Sequence, residues 1–120
     1  MTDADKTRAT VEVSDATFAT KVLTSSKPVL VEFWATWCPR CRMAAPVIEA
    51  LATEQADQFT VATLDVDANP EMTRKYQIEA TPTLILFKDG HPMRRVVGAM
   101  AKAAYLRALS EVIPSLVQRD

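Results

Sequence analysis

The sequence predicts an α/β fold, a central mixed sheet of about five strands flanked by about four helices, and two observations carry the prediction. Strand-like and helix-like patterns alternate in the order β-α-β-α-β-α-β-β-α, which requires a parallel core, helices on both faces and an antiparallel hairpin at one edge. The run Val29-Leu30-Val31-Glu32-Phe33-Trp34-Ala35 is rich in β-branched and aromatic residues, as a strand buried on both faces demands. It leads into Cys38-Pro39-Arg40-Cys41 and then a helical pattern. A Cys-x-x-Cys pair at a strand-to-helix junction reads as a redox pair rather than half of a zinc site.

Each element follows from local signals. Residues 1–9 are polar and read as a flexible N-terminal tail ahead of a single domain at 10–120. Thr10-Val11-Glu12-Val13 alternates and gives a short edge strand. Ser14 or Asp15 then caps a helix reaching about Thr24, with Phe18 and Val22 on its inner face. Ser25-Ser26-Lys27-Pro28 interrupts the chain before the central strand. The helix after Cys38 places Met43, Val47, Ile48 and Leu51 on one stripe and ends near Gln55. Pro46 lies within it and is expected to kink it, because proline removes a backbone donor. Phe59 to Val66 reads as a second buried strand. Asn69-Pro70-Glu71 opens a short helix to about Gln77, with asparagine as the cap and proline at the first helical position. Thr83 to Phe87 and Met93 to Val97 form a hairpin about Lys88-Asp89-Gly90-His91. Ala101 to Leu116 is an amphipathic helix with Tyr105, Leu109, Val112 and Leu116 facing inward.

Composition narrows the function. At 120 residues, 48% of them hydrophobic and 24% charged, the chain suits one globular core. Its 14 basic and 15 acidic residues are dispersed, with net charge −1, so no basic patch points to nucleic acid or a membrane surface. No apolar run approaches the roughly 18 residues of a membrane span. Met1 to Arg8 lacks the apolar core of a secretory signal, so a cytoplasmic location is expected. Cellular reductants keep thiols reduced there, and two cysteines are then not a structural staple. Something must cycle them. A closed zinc site wants four ligands and the chain has only His91 to add. Two chains sharing an iron–sulfur cluster would supply four thiolates, an alternative the sequence leaves open.

The chemistry of the pair follows from its placement. Cys38 falls at the N-cap of the helix and Cys41 at its third position. The free first-turn amides and the helix dipole both favour a thiolate at Cys38, making it the attacking nucleophile. Cys41, one turn in and more buried, resolves the mixed disulfide that results. Glu32 stands out in the central strand. A carboxylate between two covered faces is costly without a purpose or partner, and burial should raise its pKa. The alternative is that Glu32 bends to the surface at an edge.

Five segments in order and spacing carry a resemblance that covers nearly the whole chain. Phe33-Trp34-Ala35-x-Trp37-Cys38-x-x-Cys41, Pro46, Thr81-Pro82-Thr83-Leu84, Phe87-Lys88-x-Gly90 and Val97-Gly98-Ala99 resemble the bacterial thioredoxins. The resemblance implies the thioredoxin fold and a protein-disulfide reductase that binds no cofactor and works through a Cys38–Cys41 redox disulfide. It also implies a flavin-dependent thioredoxin reductase, drawing on NADPH, as electron donor, with disulfide-containing proteins as substrates and a monomeric state. The family places an acidic residue beneath the resolving cysteine, where it accepts the thiol's proton, and Glu32 takes that position. Glutamate is one methylene longer than the family's aspartate, and Thr63 stands where the family has a lysine. The family's Thr-Pro step is a cis bond facing the cysteines. Trp37, Ala80, Thr81, Pro82, Gly98 and Ala99 would then form a flat apolar docking surface for an extended substrate. Trp34 packs beneath the site.

The largest departure is Pro39-Arg40 in place of the family's usual Gly-Pro. Proline at the first helical position costs nothing, because its missing donor is unsatisfied there anyway. Arg40 gains an amide that can point at the Cys38 sulfur. A hydrogen bond to a charged acceptor contributes about 1.5–3 kcal/mol, and the solvated Arg40 cation adds roughly 1 kcal/mol. At ~30 mV per 1.4 kcal/mol these raise the potential by about 50–90 mV. Measured from a reference of about −270 mV for thioredoxin, that gives a pair near −200 mV. Against it, a cation at a helix N-terminus is disfavoured by about 0.3–1 kcal/mol. The alternative is a drifted or engineered dipeptide that leaves the poise unchanged.

Other features read as structure. Asp65 and Asp67 are solvated strand-end residues, His91 is surface, and Arg94-Arg95 marks an exposed edge that discourages sheet-to-sheet pairing. Two functional classes remain: the dithiol oxidoreductase, with an oxidising or isomerising sibling, and a protein-binding clamp whose redox chemistry is incidental. The acidic Glu32 favours the enzyme, since a clamp has no use for it.

Overall fold

The computed structural model describes residues 8–116, so residues 1–7 of the expected tail lie outside the described residues. Ala9, just inside, packs against the core, and its N–H donates to the Glu49 carboxylate.

Five strands form one mixed sheet in the order β1-β3-β2-β4-β5. They are β1 (Val11–Glu12), β2 (Val29–Trp34), β3 (Thr60–Asp65), β4 (Thr83–Lys88) and β5 (His91–Val97). β1 and β2 run parallel to β3, while β4 is antiparallel to both β2 and β5. The predicted parallel core with a hairpin at the edge is therefore the observed one. Asp89 and Gly90 turn the hairpin at φ of 54° and 81°, the left-handed pair that a two-residue connection needs.

Side-chain alternation along β2 divides the core in two. Leu30 faces Ile48, Leu51, Tyr105 and Leu109 on one side of the sheet. Val29, Val31 and Phe33 face Phe18, Val22, Phe87 and the Tyr76 ring on the other. Covering both faces are the π-helical segment α1 (Ala19–Leu23), α2 (Pro39–Glu54), α3 (Pro70–Lys75) and α4 (Lys102–Leu109).

Several details differ from the sequence reading. The first helical segment begins at Ser14 and ends at Thr24 as expected, Ser14 and Thr17 exchanging backbone-to-hydroxyl hydrogen bonds as a capping box does, but its regular part is π-type and confined to Ala19–Leu23. Asp15 instead caps α3 across the fold, accepting from the amides of Glu71 at 3.1 Å and Met72 at 2.9 Å. Asn69 holds the N-cap position of α3, but its side chain accepts from the Asp15 amide and donates to the Asp65 carbonyl. Met43 lies 70% exposed, and Ala44 takes its place on the buried stripe of α2, which runs unbroken through Pro46. The last helix stops at Leu109 and a 3-10 turn follows at Pro114–Leu116, because a helical Pro114 would clash with the carbonyl four residues back. Leu116 still reaches the core, while Val112 is only partly buried.

The Asp15 cap makes a measurable prediction. Asp15→Ala removes both acceptors of the α3 N-terminus and should cost about 1–2 kcal/mol in urea unfolding. An unchanged midpoint would show that water replaces the cap.

Candidate active site

Register brings the site together. β2 ends at Trp34, and its antiparallel partner β4 begins where β2 finishes, with Phe33 opposite Thr83. Thr81 and Pro82, immediately before β4, therefore lie beside the turn that leaves β2. β5 ends on the same line, with Val97 opposite Thr83, and Gly98 donates its amide to the Pro82 carbonyl at 2.8 Å. Three segments far apart in sequence meet at one end of the sheet. The Thr81–Pro82 bond is cis, as the sequence led one to expect.

Cys38 is the N-cap of α2, with extended backbone (φ −94°, ψ 109°) and Pro39 at the first helical position. Its Sγ accepts the Cys41 amide at 3.2 Å and lies 3.4 Å from the Thr81 carbonyl, to which the thiol donates. Both cysteines are free and buried, forming a small cluster with Ala35, Trp34 and Val66. Burial pushes the Cys38 thiol up, but hydrogen bonding with the Cys41 and Thr81 side chains and with the Cys41 and Arg40 amides outweighs it, and the net shift is downward. Cys41 moves the other way, to about 11, through burial, its hydrogen bond to Cys38 and the charge of Cys38. The amide that closes the cap is thus Cys41's, with Arg40's the smaller contributor.

Glu32 does not bend to the surface. It is 5% exposed, faces Thr63 across the β2–β3 ladder, and shares a cavity wall with Cys41, Trp34 and Thr63. Burial alone raises its pKa to about 7.

Of the expected docking residues, Trp37, Ala80 and Thr81 lie beside Cys38. Trp37 is 64% exposed and, with Cys38, Pro39, Arg40, Ala80 and Thr81, lines a groove beside the cysteine. Gly98 has φ +108°, where side chains are strained, and open space beyond its α-carbon; Ala99 packs partly against the core. Sequence reading missed one neighbour of this surface. Asp67, expected to be a solvated strand-end residue, accepts the Trp37 Nε1–H at 2.8 Å and so fixes the indole. No spacing signal links residues 30 apart on different segments. Asp65 is a turn former, accepting from the amides of Asp67 and Ala68. Arg94 pairs with Glu111 at 3.4 Å, and Arg95 donates to the Tyr76 carbonyl. Among the described residues no three His, Cys, Asp or Glu side chains gather as they would around a metal ion.

The thioredoxin family model matches residues 9–111. The chain belongs to the thioredoxin family. It is 62% identical over 116 residues to a thioredoxin of Mycobacterium tuberculosis, covering 97% of this chain and 99% of that one. A thioredoxin of Mycolicibacterium smegmatis is 59% identical over 107 residues, covering 88% and 96% of the two chains. A bifunctional thioredoxin reductase/thioredoxin of Mycobacterium leprae is 59% identical over 116 residues, 97% of this chain and 25% of that protein. As a thioredoxin-family member with Cys38 and Cys41 in the family's Cys-x-x-Cys spacing, the chain is a thiol–disulfide oxidoreductase. No helix among the described residues is long and apolar enough to cross a membrane.

Proposed function

We propose that the chain is a general cytoplasmic protein-disulfide reductant, a monomeric domain at 10–120 with a pair more oxidising than ordinary thioredoxin. The observation that carries the direction of chemistry is the opposite perturbation of the two thiols, Cys38 downward and Cys41 to about 11. Cys38 thiolate attacks one sulfur of a substrate disulfide, forming a Cys38–substrate disulfide and expelling the other sulfur as thiolate. Once Cys38 is so bonded, its charge and its acceptor for the Cys41 thiol are gone, and two of the causes holding Cys41 up disappear with them. Glu32, poised near neutrality, takes the Cys41 proton as Cys41 attacks the Cys38 sulfur. The substrate leaves with two thiols, and its two electrons have come from the dithiol, which becomes the Cys38–Cys41 disulfide.

Trp37, Ala80, Thr81, Pro82, Gly98 and Ala99 hold the extended substrate, and Pro39-Arg40 tunes the potential. Electrons return from NADPH through a flavin-containing thioredoxin reductase. The Mycobacterium leprae relative, whose name joins thioredoxin reductase to thioredoxin in one protein, supports that partner.

Trapping tests the order of attack. Cys41→Ser, mixed with an oxidised protein substrate, should accumulate a mixed disulfide on non-reducing gels, whereas Cys38→Ser should accumulate none. Equal trapping by both variants would remove the asymmetry on which the reading rests. A Cys38→Ser, Cys41→Ser double variant that kept its biological function would favour the binding clamp instead.

A further inference from the structure

Tyr105 fills a core position on α4 and is fully buried, yet its hydroxyl serves neither its own helix nor the sheet. It donates to the Gly98 carbonyl at 2.8 Å and accepts from the Met100 amide at 3.2 Å. Both partners belong to the short connector between β5 and α4. The Gly98 amide in turn donates to the Pro82 carbonyl at 2.8 Å, and the Thr81 carbonyl touches the Cys38 sulfur at 3.4 Å. A continuous set of hydrogen bonds and one peptide link thus joins the Tyr105 hydroxyl to the nucleophile's shelf.

The arrangement is costly unless it is used. A leucine would fill the same apolar space, whereas a buried hydroxyl must find partners or lose free energy. Here both capacities of the hydroxyl are satisfied by one loop. Burial, along with the neighbouring Glu32 and Cys41, pushes the phenol upward, so it remains a donor to Gly98 at neutral pH. The loop it fixes contains Gly98, whose open outer face and positive φ leave a bare backbone edge beside Pro82. A loop of this kind is mobile unless anchored, and a substrate chain that docks on it must first bear the cost of ordering it.

We propose that Tyr105 is a positioning residue for protein substrates: its hydroxyl holds the Gly98–Met100 loop against Pro82 so that the loop's backbone is presented, already ordered, to the substrate chain. It touches neither sulfur. Its contribution therefore falls on disulfides carried by a polypeptide and not on small disulfides that reach Cys38 without the loop. The inference rests on the proposal that Gly98 and Ala99 form part of the docking surface.

Tyr105→Phe deletes the oxygen alone. With reduced protein and oxidised insulin, KM should rise about three- to tenfold with kcat nearly unchanged, as loss of one neutral hydrogen bond implies. The reaction of Cys38 with 5,5′-dithiobis(2-nitrobenzoate) and the glutathione-equilibrated potential should move less than twofold and not at all, respectively. Tyr105→Leu, which keeps an apolar filler, should reproduce the selective loss and guards against a folding defect in either variant. Separately, the Cys41→Ser protein joined to a substrate peptide should show shifted Gly98 and Ala99 amide resonances relative to its free form. If those amides shift but both Tyr105 variants leave the insulin KM unchanged, or slow insulin and the small disulfide alike, the role assigned to Tyr105 is overturned. If the amides do not shift, the docking surface itself is wrong and the inference falls with it.

Discussion

Replacing Glu32 with glutamine is expected to slow the resolving step by about 10²–10⁴-fold, the usual worth of a general base, while stabilising the folded protein at alkaline pH. Both effects come from one property. The carboxyl is buried, forms no ion pair among the described residues, and its pKa stands at about 7 against an ordinary 4.5. At pH 8 folding must keep a charge in a place that favours the neutral form, and a difference of this size corresponds to about 3 kcal/mol. Glutamine is the neutral isostere and escapes that cost.

The sign fixes the pH window. The folded state holds the Glu32 proton more tightly than the unfolded chain, so stability is fully present below about 4.5 and is lost as pH rises toward 7. Unfolding by urea at pH 4 should therefore place Glu32→Gln and the parent protein together, and at pH 8 should separate them by about 3 kcal/mol in favour of the variant. Single-turnover release of substrate from the mixed disulfide supplies the second half. In the parent it should climb through pH 7 as Glu32 ionises, whereas in Glu32→Gln it should climb only as the Cys41 thiol itself ionises. A variant no more stable at pH 8 would mean that water in the adjoining cavity solvates the carboxylate. A variant that releases substrate at the parent rate would remove Glu32 from the mechanism.

What could be read from the chain depended on whether the signal was local. β2 and the Cys-Pro-Arg-Cys turn announce themselves in consecutive residues, as do the Asp89-Gly90 hairpin and the cap at Cys38. The hydrophobic stripe of α2 was legible except at Met43, where a long flexible side chain sits in water at the rim of the helix. Long-range polar pairings were not legible. Asp15 looks like the cap of the segment that follows it, yet it caps α3, more than 50 residues on. The Asp67–Trp37 bond belongs to the same class. In each case the sequence specifies a side chain with hydrogen-bonding capacity, and only the sheet register decides which distant backbone or ring it meets. Of these pairings, the Asp67–Trp37 bond holds the residue next to Cys38.

Changing the dipeptide between the cysteines to the family's Gly-Pro, as Pro39→Gly with Arg40→Pro, is expected to lower the reduction potential by about 50 mV. Both glycine and proline are needed, because proline at position 40 disfavours a helical Pro39 before it. The variant removes the Arg40 amide from the Cys38 sulfur and removes a cation beside it. The principal cap, the Cys41 amide at 3.2 Å, survives in either sequence. Arg40's amide is the smallest of the interactions that pull the Cys38 pKa down, so its share belongs at the weak end of a charged hydrogen bond, about 1.5 kcal/mol. The solvated cation adds roughly 1 kcal/mol. Losing both destabilises the thiolate, hence the reduced form, and drives the potential downward. Arg40→Ala keeps the amide and loses only the charge, so it should move the potential by about 20 mV. Equilibration of each protein with glutathione and dithiothreitol buffers, read by thiol alkylation, measures both shifts. If the double variant moved the potential and Arg40→Ala moved it equally, the charge alone would tune the pair. If neither moved it, the dipeptide would be neutral, and the protein would run at the poise of an ordinary thioredoxin.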